Sequence, residues 1–213
     1  LARPESGAPI LVHSAAGGVG QALVQLARAR GNKTVGIVGS SHKIEAVHAL
    51  DPTAVVVDKS ANKRWWDDVE REAPDGYAAI FDANGVSTLK ASYRHLAPTG
   101  TLVIYGFASM LPKGGKRVSW LALAWDFIRT PRFDPLHLVE NNHNLMGFNL
   151  SYLFDRVDIL ELGMGSLLPW FADGTLSPPP VQTFALRDVA DAHRAIESGQ
   201  TVGKLVLTTE HHP

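Results

Sequence analysis

The sequence predicts an α/β fold: a doubly wound parallel sheet of about six strands with helices on both faces, followed by a C-terminal strand–helix–strand segment. Three observations predict it. Short apolar runs punctuated by glycine and polar residues alternate with stretches of helical spacing. The first apolar run passes through a glycine-rich turn directly into a helix. The resulting βαβαβ pattern occurs twice in succession, and crossovers of this kind are right-handed.

Ile10-Leu11-Val12 is a short buried strand. Beyond the turn, Val19, Leu23, Leu26 and Ala27 fall on one helical face that ends at Gly31. "NKTVGIVGS" reads as the second strand and "SHKIEAVHAL" as the helix behind it. "TAVVVDK" is the third strand, and "NKRWWDDVEREAP" a polar helix. "YAAIFDANG" is the fourth strand, "VSTLKASYRHLAPTG" a helix closed by proline and glycine, and "TLVIYGFAS" the fifth strand. After Ser109 the rhythm breaks. "MLPKGGKR" is a basic loop, and "VSWLALAWDFIRTPRF" an apolar helix stopped by Pro131. Within it Trp120, Leu123, Ala124 and Phe127 share a face that walls a cleft or packs in a core or dimer. "NLMGFNLSYL" is the sixth strand. A long helix over residues 156–172 contains Gly163 and Gly165, which point to a kink or a close contact. In a regular helix each glycine costs about 1 kcal/mol relative to alanine. The proline-rich joint "DGTLSPPPVQ" leads to a strand, a helix and a last strand, dividing the chain into a domain over residues 1–177 and a segment over 178–213.

The bulk composition, 45% hydrophobic and 19% charged, is that of an ordinary globular protein. A net charge of −1 offers no electrostatic case for nucleic acid or an acidic membrane. There is no cysteine, hence no disulfide, thiol nucleophile or thiolate-bound zinc in these residues. "LARPESGAP" has no signal-peptide pattern, and the cytoplasm is the default compartment.

Chemistry enters at the glycine turn. Ala15, Gly17 and Gly20 are small where the chain must turn tightly, let a phosphate approach and pack helix on strand. Ala16, Gly17, Gly18, Val19 and Gly20 then offer backbone N–H groups at a helix start, where the dipole favours an anion. The plain alternative is a turn that serves packing alone. The second strand ends Gly39-Ser40-Ser41-His42-Lys43, with no carboxylate before Glu45 to hold a ribose diol. Ser40, Ser41 and Lys43 supply hydroxyls and a cation instead, which suits an adenosine 2′-phosphate and so NADPH rather than NADH. Against this, Ser40 serves equally as a helix cap and Lys43 as a solvated charge. The sequence has no Tyr-x-x-x-Lys pair, Gly-x-Ser-x-Gly elbow or P-loop lysine. His137 and His143 lack a third ligand, so no metal site is expected. The stretch "KGGKR" is too short to anchor the chain to a membrane, and "EHHP" reads as a loose end.

Taken together, "HSAAGGVGQALVQLAR", "FDANG", "HLAPTGTLVIYG" and "DVADAHRAIESGQTVGKLVL" resemble the medium-chain dehydrogenase/reductase superfamily and its zinc-independent quinone oxidoreductase branch. "MLPKGGKRVSWLALAW" with "NHNLMGFNLSYL" resembles the VAT-1-like members. The resemblance implies a Rossmann domain whose cofactor is NADPH, with Lys43 at the 2′-phosphate and Lys59 where a tyrosine usually stacks near the adenine. It implies that Asn84, Gly85, Tyr105, Gly106 and Phe107 border the ribose and nicotinamide. Phe148 and Leu150, ending the sixth strand, match positions that meet the carboxamide, and Gly203 with Lys204 match a closing pair near the adenosine. It also implies hydride transfer to a small-molecule quinone or enone, and a homodimer joined through the sixth-strand edge. Members carry a GroES-like catalytic domain ahead of the first strand. The chain is therefore expected to bind nucleotide and turn over little by itself, with catalytic residues upstream. Two rival readings are a VAT-1-like binding module with a regulatory or membrane-associated role, and part of a zinc-dependent alcohol dehydrogenase.

Overall fold

The computed structural model describes residues 2–108 and 120–209. Six strands form one all-parallel sheet: β1 (Pro9–Val12), β2 (Lys33–Val38), β3 (Val55–Asp58), β4 (Tyr77–Asp82), β5 (Leu96–Ile104) and β6 (Asn144–Gly147). Their spatial order is β3-β2-β1-β4-β5-β6. The order reverses between β1 and β4, and a crevice opens at such a point beyond the carboxyl ends of the strands. Register aligns those ends: Val12 lies opposite Gly36 and Phe81, Val38 opposite Asp58, and Ile104 opposite Asp82 and Gly147.

Side chains alternate across a strand, so β1 feeds two cores. Leu11 is buried with Val35, Ile37, Val69, Tyr77, Ile80 and Leu102, on the face that α3 (Trp65–Glu72) and α4 (Leu89–Arg94) cover. Ile10 and Val12 are buried on the other face with Val24, Ala27, Val38 and Val47, under α1 (Gly18–Ala29) and α2 (Ile44–His48). Each such side chain contributes about 1.5–3 kcal/mol when fully buried. Tyr77 is the largest fully buried residue, and its hydroxyl donates to the Val69 carbonyl at 2.7 Å, so its polar end is satisfied.

Several elements depart from the sequence reading. The buried face of α1 is Gly20, Val24 and Ala27 with Gln21 and Gln25, while Val19 is exposed. The cause is the closeness of the first helical turn to β1: a Cβ on Gly20 would stand 2.2 Å from the Ser14 carbonyl oxygen. The helix α4 ends at Arg94, and Leu96 already pairs with Tyr77. Leu96–Gly100 thus belongs to a strand with a register shift, and only His95 of "HLAPTG" caps the helix. The shift needs close backbone approach, since a Cβ on Gly76 (φ +90°) would lie 2.5 Å from the Ala97 nitrogen.

The strand β6 is short, and residues 150–152 form a 3₁₀ turn. After α5 (Trp120–Arg129) comes α6 (Pro135–Asn141), unforeseen although its signals are present. Asp134 accepts from the Leu136 N–H at 3.0 Å, proline opens the helix, and Asn142 ends it at φ +53°. In α7 (Val157–Ala172) a Cβ on Gly163 or Gly165 would meet nothing within 4 Å, so the expected close contact is not there. Trp120 (81% exposed) and Phe127 (75%) are in no core of this chain, and Ala124 is exposed too. The side chain of Leu123, the basic loop at 113–117 and the tail at 210–213 lie outside the described residues. Among the described residues no helix is long and apolar enough to cross a membrane. A separate two-stranded parallel sheet, β7 (Val181–Ala185) and β8 (Lys204–Thr208), carries α8 (Val189–Glu197).

Two glycine substitutions separate backbone need from helix cost. Gly76→Ala is expected to lower unfolding free energy by about 1–3 kcal/mol through strain and clash. Gly163→Ala is expected to raise it by about 1 kcal/mol. Urea unfolding of both variants checks this, and equal effects would reject it.

Candidate functional site

The glycine turn lies at the point where strand order reverses. Ser14 opens it with a left-handed backbone (φ +54°), and the Gly17 N–H closes it onto the Ser14 carbonyl at 2.8 Å. Gly17 is the N-cap of α1, with extended backbone and no side-chain cap, and the first turn holds no acidic residue. The N–H groups of Gly18, Val19 and Gly20 have no acceptor within the helix. A cation stands over them: a Cβ on Gly18 would be 2.5 Å from Lys204 Cε and 3.0 Å from its Nζ. Lys204 is brought there by a bridge between Gly17 and Gly203. It therefore lies over the glycine turn that opens α1.

At the ends of β2 and β3 a second basic group forms. Lys43 donates to the Gly199 carbonyl at 2.5 Å, and His42 Nε2 lies 3.1 Å from the Gln200 carbonyl. Burial and the charge of Lys59 push Lys43 below the ordinary lysine range. Ser40 makes no cap bond, and its Oγ is shielded without a hydrogen-bond partner. Ser41 donates to Asp58 at 2.6 Å. Asp58 is the acid that the strand-by-strand reading overlooked: it belongs to β3, not β2, and register sets it beside Val38. Burial opposes its ionisation, but the bonds from Ser41 and Ser60 outweigh this and lower its pKa.

The loops after β4 and β5 pack on one another. A Cβ on Gly85 (φ +80°) would meet the Phe107 ring at 2.5 Å, and one on Gly106 the Ala83 carbonyl at 2.8 Å. Phe107 is exposed at the rim. Burial, and then the charge of Asp82, raise the pKa of Tyr105. Phe148 continues β6 by donating its N–H to the Ile104 carbonyl at 2.9 Å. Leu150 lies in the 3₁₀ turn beyond, not at the strand end as expected, and both side chains are exposed.

Beneath the crevice runs a buried polar chain that motif reading missed. His13 and Asp82 are both 0% exposed. Asp82 Oδ1 accepts from the N–H of Asn84 (2.8 Å), the N–H of Gly85 (3.1 Å) and the Thr88 hydroxyl (2.9 Å), and Oδ2 from the Ser92 hydroxyl (2.9 Å). His13 Nε2 lies 3.0 Å from Ser92 Oγ, and its Nδ1 lies 3.3 Å from Asn84 Nδ2. Ser14 Oγ donates to Asn84 Oδ1 at 3.3 Å. Desolvation lowers the pKa of His13 to about 4 despite the attraction of Asp82. The legible signals were His13 in "HSAAGG" and Asp82 in "FDANG". By contrast His137 and His143 gather around Tyr93, and among the described residues no group of three or more His, Asp or Glu could hold a metal.

A parallel sheet with a helix-opening glycine turn at its switch point, crossed by lysines, defines a nucleotide-binding domain of the Rossmann type. Comparison with known proteins places it further. The model of a family described as zinc-binding dehydrogenase matches residues 54–207. The human synaptic vesicle membrane protein VAT-1 homolog is 31% identical over 203 residues, covering 95% of this chain and 51% of that protein. Among solved structures, a mycobacterial protein complexed with NADPH is 26% identical with a TM-score of 0.75, over 96% of this chain and 57% of that one. The quinone oxidoreductase of Thermus thermophilus, solved also with NADPH, is 25% identical with a TM-score of 0.71, over 97% and 59%. The chain belongs to the zinc-binding dehydrogenase family, within the medium-chain dehydrogenase/reductase superfamily. It spans about half the length of the curated relatives it matches.

The depressed pKa of His13 sets a pH dependence. Its folded value lies below its unfolded one, so burying the neutral ring contributes stability that is full above about pH 6.5. That contribution is lost as pH falls from 6.5 toward 4, to a total of about 3 kcal/mol. Urea unfolding at pH 7 and 4.5 should show a smaller loss in His13→Gln than in the wild type. Equal losses would exclude His13 as the source.

Proposed function

We propose that this chain is the NADPH-binding part of an oxidoreductase acting on quinones or enones. The observation that carries the cofactor reading is the gathering of Lys43 and Lys59 at the ends of β2 and β3: the Lys59 N–H donates to the Val38 carbonyl at 3.1 Å, its Cε would stand 3.7 Å from a Cβ on Gly39, and its charge adds to burial in lowering the pKa of Lys43. An anion beside these two cations would be favoured, and the adenosine 2′-phosphate distinguishes NADPH from NADH. The unpartnered Ser40 Oγ is a further donor at the same strand end. The turn accepts a pyrophosphate on its first-turn N–H groups, with Lys204 across it. Asn84, Gly85, Tyr105, Gly106 and Phe107 then border the nicotinamide half, with Phe148 and Leu150 on its far side. Their apolar members keep water from the reacting carbon.

When bound, NADPH supplies a hydride for an electron-poor carbon of a conjugated carbonyl. The residues here orient it and balance its charge. The proton that completes reduction comes from a group we assign to none of these residues. Activity is proposed for the whole protein, with residues 1–177 as the cofactor domain and 178–213 as the segment that returns to a catalytic domain. The likeness to a quinone oxidoreductase solved with NADPH favours this over a zinc-dependent alcohol dehydrogenase.

Two measurements test these readings. Calorimetric titration should show tighter binding of NADPH than of NADH, with Lys43→Ala weakening NADPH about 10- to 100-fold and leaving NADH nearly unchanged. Preference for NADH would overturn the assignment. Association follows from β6, which ends the sheet order with one edge unpaired among the described residues, and from the exposed apolar side chains of α5 and α7. Two copies joined along β6 should sediment as a dimer at micromolar concentration; a monomer throughout would reject the pairing.

A further inference from the structure

The buried chain beneath the crevice has a direction, and the carboxylate at its closed end sets it. Ser92 donates its hydroxyl proton to Asp82 Oδ2 at 2.9 Å. The Ser92 oxygen is then left as an acceptor for the nearer imidazole nitrogen, Nε2 of His13, at 3.0 Å. The direct distance from that nitrogen to Asp82 Oδ2 is 3.8 Å, too long for a hydrogen bond, so the hydroxyl carries the link. A neutral imidazole holds one proton. With that proton on Nε2, Nδ1 presents a lone pair, and the atom 3.3 Å away must be a donor: Nδ2 of Asn84. The amide of Asn84 therefore has one permitted orientation. Its oxygen faces Ser14, which is exposed at the start of the glycine turn.

Water has little chance to randomise this order. His13, Asp82 and Ser92 are all 0% exposed, and the edges of Trp65 and Trp66 close on His13 with ring centroids at 6.2 and 5.7 Å. Trp66 is in turn stacked on His95 at 4.8 Å. Burial favours the neutral imidazole.

We propose that His13 is a positioning residue that acts through Asn84: it pins the amide nitrogen inward, so that Asn84 Oδ1 is offered beside Ser14 as an acceptor for a ribose hydroxyl on the nicotinamide side of the bound dinucleotide. This rests on the nucleotide reading of the crevice. It assigns a task to a residue pair between the two loops that the glycine motif alone leaves unexplained. It also makes the chain selective in polarity: the crevice wall presents an acceptor there and takes a donor.

The test joins a spectroscopic readout with a split of the ligand, all on the 213-residue chain. Long-range ¹H–¹⁵N spectra of the imidazole should show His13 as the Nε2–H tautomer at pH 7. Ser92→Ala should weaken NADPH about tenfold and leave adenosine 2′,5′-bisphosphate, which lacks the nicotinamide half, within about twofold. Asn84→Asp, which has no N–H to give to Nδ1 and lies nearer the surface, should show the same split if Ser92→Ala fails to fold. An Nδ1–H tautomer, equal weakening of both ligands, or no weakening of either overturns the positioning role. A wild-type chain that binds neither ligand refutes the nucleotide reading, and the role of His13 falls with it.

Discussion

A carboxylate shut away from water is the constraint on which the upper edge of this sheet depends. Asp82 ends β4 next to the point where strand order reverses, and leaving its oxygens unpaired there would cost several kcal/mol. Four donors prevent that. Two are backbone N–H groups of Asn84 and Gly85, which forces the chain to curl immediately after the strand. Two are hydroxyls of Thr88 and Ser92, which docks the start of α4 on the same spot. The loop carrying Asn84 is thus shaped from below, and its packing on Phe107 carries the shape across to β5.

The other half of the edge is organised by cations and by the segment after the proline-rich joint. The joint and that segment are held at spaced points. Ser177 donates its N–H to Gln25 Oε1 at 2.7 Å, Gly203 bridges to Gly17, and the turn at 199–200 takes bonds from Lys43 and His42. Each point touches α1, the glycine turn or the end of β2, the same structures that frame the crevice. Residues distant in sequence therefore share this edge of the sheet because a short parallel pair, β7 and β8, returns the chain to it.

The architecture was legible because it rests on signals local to a few residues. Apolar runs such as Ile10–Val12 and the turn "SAAGGVG" state strand and helix start directly, and the parallel sheet with helices on both faces followed from alternation. What was misread depends on contacts between distant residues. Nothing around Val19 says that Gly20 will be pressed on the Ser14 carbonyl, yet that approach rotates the buried face of α1. The "HLAPTG" stretch looks like a helix end until Tyr77 pairs with Leu96. At the site, residues inside a motif were visible, whereas Asp58 meets Ser41 only because β2 and β3 are in register. The proton order of the His13 chain needs three dimensions, since its links span 79 and 71 residues.

The bond from Lys43 to the Gly199 carbonyl has a consequence for selectivity. An ammonium already engaged is not a charge waiting in solvent. Any phosphate arriving beside it competes with a neutral carbonyl, and what it gains is the difference between two hydrogen bonds. A ribose hydroxyl in the same place offers no advantage over the carbonyl and leaves the tether intact. With Lys43 at the 2′-phosphate, as proposed, discrimination between the two dinucleotides becomes an exchange reaction in which the protein supplies its own competitor, and only the ligand with the stronger acceptor can trade with the chain.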